Sequence, residues 1–305
     1  MSMKGRFELL PDFFKLTLVF SFYLTMYLVA ALFSAGICKM IYGVNFFDSS
    51  AATLDLSNAV NLSATKLFQL ISSLIVFIGT TVIATYFIAS KPMQFLGLTK
   101  LPIALTVLLA IFTMLLITPF VNYTYALNAM LNLPDWMGAL EKEANGFTEA
   151  FLKMRNPVDL IYNLIIIALI PAIGEELLFR GLIQQLLKGM FNNIHLAVLF
   201  SAIFFSSMHL QFYGFLPRMI LGMVLGYLFV WSGSLWLPVA AHFVNNAATI
   251  LFSYFAQYLP FNQDTVGIEK SQSVILIASV VLCWLMMWGI EFLYSAKRIK
   301  TPGDV

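Results

Sequence analysis

Charge is what this chain lacks. Only 10% of its 305 residues are Asp, Glu, Lys or Arg, whereas a soluble domain carries about 25%. So few charges cannot cover a soluble surface of this size, and a soluble globular class is excluded. Cysteine is almost absent. Cys38 and Cys283 are the only two, each inside an apolar run, which leaves no disulfide framework and no cysteine zinc site. They are expected as membrane-buried thiols. A net charge of +2 supplies no footprint for nucleic acid, so no such partner is expected. There is no His-Glu-x-x-His, no internal repeat and no low-complexity tract.

What the chain has in abundance is apolar length. Hydrophobic residues make up 60%, and the mean hydropathy is +0.87. The class is therefore an all-α, polytopic membrane protein, with lipid as an obligatory partner. Runs of the required length predict about eight spans, near 16–38, 67–90, 101–121, 159–187, 195–210, 215–231, 235–258 and 272–293. The first run is uncharged from Leu16 to Cys38, too long for a signal-peptide core, and reads as a retained helix. Basic residues at both ends, Lys4, Arg6 and Lys15, then Lys297, Arg298 and Lys300, place both termini on the cytoplasmic side. The polar segment 122–158 predicts a loop with an interfacial helix, since Leu140, Phe147, Phe151 and Met154 share one face. A solvated loop helix with no membrane role fits the same pattern.

Against that background one stretch stands out, Ile170-Pro-Ala-Ile-Gly-Glu-Glu-Leu-Leu-Phe-Arg-Gly181. It sets two carboxylates and a guanidinium within an apolar helix. Each such group costs about 2.5–3.5 kcal/mol at the bilayer centre on insertion scales, so it needs a partner, a wet cavity or a function. Consecutive helical residues lie about 100° apart, so Glu175 and Glu176 point different ways. Glu176 and Arg180, four apart, share a face and are expected to pair. That leaves Glu175 without its own cation, which suits a general base. Pro171, one turn earlier, lacks an N–H; it either opens backbone groups beside the carboxylates or serves as a packing kink, and both readings stay open. Gly222-x-x-x-Gly226 predicts close helix approach, with packing its expected use and oligomerisation open.

Only three histidines occur. His195 adjoins Asn192 and Asn193 and reads as an interfacial loop residue. His209 follows Phe205 by four, and His242 precedes Asn246 by four. A carboxylate, two imidazoles and a carboxamide on three apolar segments must be turned inward, where they form a polar cavity able to hold water. Peptide hydrolysis needs a base for water and donors for the oxyanion. Glu175 with His209 fits the first need, and His242 with Asn246 the second. Glu175, His209 and His242 are also a set able to hold zinc with an open water position. Spacing leaves metal-bound water and directly held water equally open.

At these residues the chain resembles the CAAX protease and bacteriocin-processing family of intramembrane proteases, also called Abi. Its pattern stands here as Glu175-Glu176-Leu-Leu-Phe-Arg180, Phe205-Ser-Ser-Met-His209 and His242-Phe-Val-Asn-Asn246. The resemblance implies eight helices around a membrane-embedded cavity, with Glu175 and His209 positioning water and His242 and Asn246 stabilising the oxyanion. It implies that Glu176, Arg180 and Phe205 support the site. It also implies a membrane-associated peptide or prenylated protein as substrate, in a bacterial plasma membrane. The chain then divides into N-terminal helices at 1–157, a catalytic core at 158–258, and a final span with a basic tail at 259–305. Two readings from other classes compete. One is a proton- or ion-coupled carrier using Glu175, Glu176 and His209 as a relay, although such proteins usually show repeated halves. The other is a non-catalytic scaffold or immunity protein on the same fold.

Overall fold

The computed structural model describes residues 3–47, 54–258 and 270–300. Most of the polar loop expected at 261–271, together with Asp48 and the residues after Lys300, lies outside them. Among the described residues the fold is all helix: α1 Asp12–Tyr42, α2 Ala59–Ile88, α3 Ala104–Ala129, α4 Asp135–Leu152, α5 Pro157–Phe191, α6 Ile194–Ser207, α7 Phe215–Ser232, α8 Trp236–Ala256 and α9 Lys270–Lys300.

Six of these, α1, α2, α3, α5, α7 and α9, are long and apolar enough to cross a membrane. The sequence predicts about eight spans, and the two others fall short for different reasons. Helix α6 has 14 residues, about 21 Å at 1.5 Å per residue, against a hydrocarbon core near 30 Å. Helix α8 has 21 residues, but His242, Asn245 and Asn246 make it polar. The polypeptide is an all-α polytopic membrane protein in which these two helices pack among the longer ones.

Local chemistry sets the ends of the central helices. Asn156 caps α5, its Oδ1 accepting from the Val158 and Asp159 N–H groups at 2.9 and 3.0 Å. Pro157 then takes the first position, where no N–H is needed. Asp159 reaches back to the Arg155 N–H at 2.9 Å, so the entry is locked from both sides. At the other end Asn192 is left-handed, φ 48°, and Asn193 caps α6 through the His195 and Leu196 N–H groups. Two adjacent asparagines thus stop one helix and start the next. Several hydroxyls in the apolar helices bond back one turn, as in Thr81 to the Phe77 carbonyl at 2.8 Å and Thr113 to the Leu109 carbonyl at 2.8 Å, which satisfies these without a second helix.

Pro217 and Pro238 sit in the first turns of α7 and α8, so neither breaks a helix. Pro171 differs, lying inside the continuous rod of α5 just after a wide turn at Leu164–Leu169, with a second such turn at Leu177–Ile183. Wide turns of this kind recur at functional sites.

The Gly222-x-x-x-Gly226 pair serves packing within the chain. A Cβ on Gly222 would stand 3.0 Å from the Ala202 Cβ, and one on Gly226 would stand 2.9 Å from a Val198 methyl. The same absence of side chains opens both backbone carbonyls, and these accept from α5: Arg180 bonds the Gly222 oxygen at 3.0 Å and Gln184 the Gly226 oxygen at 3.2 Å. Gly226→Val is therefore expected to destabilise the protein by about 1–3 kcal/mol through overpacking. A lowered thermal midpoint in detergent checks this, and an unchanged midpoint counts against the close contact.

The polar segment before α5 does form a helix. On α4, Glu141, Ala150 and Phe151 are buried, as is Met154 just beyond it. That face turns onto α2 and α8 rather than onto solvent.

Candidate active site

Helix α5 carries both carboxylates and the guanidinium. Arg180 donates from Nη1 to Glu176 Oε1 at 2.9 Å, and both side chains are essentially inaccessible. The expected pair is present, and it persists although Arg180 lies in the second wide turn. Arg180 spends its other arm on the Gly222 carbonyl and lays its guanidinium 4.6 Å from the Phe205 ring centre. A buried ion pair repays its desolvation only with such additional bonds. Glu176 Oε2 is buried and has no hydrogen-bond partner among the described residues.

Helix α8 brings His242 against both carboxylates. Its Nδ1 lies 2.8 Å from Glu176 Oε1, and its Nε2 lies 3.8 Å from Glu175 Oε2. An ionised Glu176 only accepts, so the Nδ1 hydrogen is directed to it. The tautomer and orientation of His242 are thus set by a carboxylate that Arg180 itself holds.

His209 follows the end of α6. Its Nδ1 lies 2.9 Å from the Phe205 carbonyl, which assigns that nitrogen as the donor and leaves Nε2 with a lone pair. Phe205 is the common wedge, with ring centres 5.1 Å from His209, 5.8 Å from His242 and 5.3 Å from Phe179. Both imidazoles line one cavity with Glu175. The sequence reading pairs Glu175 with His209; in the fold the nearest imidazole to Glu175 is His242.

Asn246 explains Pro171. Proline cannot bond the carbonyl four residues back, so the Ile167 oxygen is free, and Asn246 Nδ2 donates to it at 3.4 Å. Asn245 donates to Asn246 Oδ1 at 3.2 Å. Asn246 is thereby fixed on the cavity wall with one amide hydrogen unspent.

The cavity has a volume of about 850 Å³, and its lining includes the aromatic side chains of Phe68, Phe147 and Phe151. A strap at 208–214 contributes His209, Gln211 and Gly214 to the lining. Leu210 in it is left-handed, φ 51°, a strained conformation for leucine. Outside bonds hold it there. Asn128 at the end of α3 donates to the Phe212 and Tyr213 carbonyls at 2.8 and 3.1 Å, and Glu141 of α4 accepts the Tyr213 N–H at 3.3 Å.

His195 is exposed and bonds the Tyr227 hydroxyl at 2.8 Å, away from the site. Cys38 and Cys283 are buried free thiols facing the Ala64 and Thr113 carbonyls. Sequence reading passes over Arg218, Asn245 and Gln211, which also line the cavity. For Arg218 the signal was there, a lone cation in the apolar run of α7. Among the described residues no three His, Cys, Asp or Glu side chains stand as a group able to hold a metal ion. Glu175, His209 and His242 face one space without forming such a cluster, so the chemistry below uses the chain's own groups.

Fold and site together define a polytopic membrane protein with a carboxylate–histidine cavity enclosed by its helices. Comparison with known proteins agrees with the motifs: residues 157–248 match the family described as Rce1-like, type II CAAX prenyl endopeptidase. Over this stretch, from the start of α5 into α8, the chain is similar to CAAX-type proteases. It is also 28% identical over 91 residues to the uncharacterized protein YpbD of Bacillus subtilis (strain 168), an alignment covering 28% of this chain and 43% of that protein. No solved structure matches the chain.

Proposed function

We propose that this chain is an intramembrane endopeptidase that hydrolyses a peptide bond in a membrane-associated protein or peptide. The observation that carries the reading is the 3.8 Å approach of His242 Nε2 to Glu175 Oε2 at the wall of a cavity within the helices. The match at 157–248 to CAAX prenyl endopeptidases supports it. The catalytic unit is 158–258, flanked by 1–157 and 259–305, in a bacterial plasma membrane with both termini cytoplasmic.

A water in the cavity donates one hydrogen to Glu175 and the other to the His209 Nε2 lone pair, which aims its own lone pair at the scissile carbonyl. Glu175 takes the proton as the water attacks and later delivers it to the leaving amine. The spare hydrogen of Asn246 meets the developing oxyanion. For His242 to donate there as well, Nε2 must carry a hydrogen while Nδ1 keeps the one directed to Glu176. The aromatic wall takes an apolar side chain or lipid group of the substrate.

Asn246→Ala is expected to lower kcat about 10²–10³-fold, as for loss of one oxyanion donor, with KM little changed. Steady-state peptidase kinetics check this, and a KM effect alone would reassign Asn246 to substrate binding. The functional reading itself is tested with purified protein in nanodiscs and a pool of membrane-associated peptides, followed by mass spectrometry. Discrete cleavage products are expected. Proton flux in proteoliposomes without any cleavage would make the protein a carrier instead.

A further inference from the structure

Arg218 lies on the wall of the cavity, and no step above uses it. It belongs to the start of α7, one turn before Gly222, whose carbonyl Arg180 holds. A rise of about 1.5 Å per residue sets the two α-carbons about 6 Å apart along the helix axis. Charge at such a position calls for a counter-ion or a use. Its hydrogen bonds go to neutral oxygens of Gln211, the backbone carbonyl at 3.3 Å and the side-chain carbonyl. Gln211 is itself steadied by Asn145 of α4 at 3.3 Å. Among the described residues no carboxylate stands within salt-bridge distance of Arg218. Glu141, the nearby acid, is engaged by the strap at Tyr213. Glu141 and Glu175 both act on the cation through space, but among the described residues neither makes a direct ion pair with it.

We propose that Arg218 determines specificity by receiving a carboxylate of the peptide substrate, a few residues from the scissile bond. It is the one permanent cation among the described residues lining the cavity. A guanidinium is a planar fork that matches a carboxylate in two parallel bonds, and exchanging neutral amide oxygens for an anion strengthens both. The cavity already holds the Glu175 carboxylate. A second carboxylate entering beside it is repelled unless a cation receives it, so Arg218 fixes which way the peptide lies. The volume of about 850 Å³ falls within the range for drug-sized ligands. Only a short piece of peptide fits, so the anionic group and the bond to be cut are close in sequence.

The inference rests on the peptidase reading, and its test is separate from it. An apolar, fluorescently labelled pentapeptide is made as the free acid, as the C-terminal amide, and as the amide with one internal Asp. Binding is read by anisotropy in nanodiscs, using Glu175→Gln protein to prevent turnover. One carboxylate-bearing form is expected to bind at least about tenfold tighter than the plain amide, and which one does so identifies the source of the carboxylate. Adding Arg218→Gln erases that preference, Arg218→Lys restores part of it, and the plain amide binds equally in all three proteins. Equal affinity of the three forms, no binding by any, or a preference surviving Arg218→Gln overturns the assignment. Absence of cleavage by the wild-type protein, with the preference intact, defeats the peptidase reading alone.

Discussion

Replacing Glu175 by glutamine is expected to remove peptidase activity while leaving the protein folded and no less stable. The amide has the same shape but cannot take the proton from water. Loss of a general base costs about 10²–10⁴-fold in rate, and here that base also directs the attack. The effect on stability has the opposite sign from the usual core substitution. Glu175 is buried, His242 Nε2 stands 3.8 Å from its Oε2, and the buried guanidinium is committed to Glu176. A carboxylate so placed is a cost to folding that a neutral amide reduces. Thermal unfolding of Glu175→Gln should give a midpoint equal to or above that of the wild type, the pattern expected where function opposes stability. A clearly lower midpoint would mean that Glu175 is a structural brace.

Arg180→Met is expected to be among the most damaging single changes. Removing the guanidinium leaves Glu176 buried with His242 as its remaining partner and deprives the Gly222 carbonyl of its donor. Breaking a buried pair from one side costs about 3–5 kcal/mol. The carbonyl adds about 1–3 kcal/mol if it finds no other donor. Activity falls too, because His242 is oriented through Glu176. A second substitution, Glu176→Gln, should recover a large part of the lost stability, since it removes the stranded charge, yet recover no activity. Unfolding midpoints across the two single variants and the double variant measure this coupling directly. Simple additivity would show that the two side chains do not form the unit described.

Much of this site could be read from the sequence because its key contacts lie within one helix or at helical spacing. The Glu176–Arg180 pair follows from a four-residue separation, and the opposed directions of Glu175 and Glu176 follow from 100° per residue. Pro171 announces a free carbonyl, although only the fold shows that Asn246, far along the chain, occupies it. The partner of Glu175 was not legible, because it depends on how closely α6, α7 and α8 approach α5. Gly222 and Gly226 set part of that approach, and periodicity within a single helix does not encode it. The span number was ambiguous for a related reason. Helix α8 gives up hydropathy at His242, Asn245 and Asn246 to line the cavity, so the same residues that make the site obscure the helix. Arg218 was overlooked because it matches no motif, although a lone cation in an apolar helix is a signal in its own right.

The most direct test of a water held by Glu175 and His209 is cleavage in ¹⁸O-labelled water. Products of the purified protein in nanodiscs are analysed by mass spectrometry. One heavy oxygen in each newly formed carboxyl terminus is expected from the wild type, and no such product from Glu175→Gln. Labelled product forming at the wild-type rate in Glu175→Gln would contradict the account.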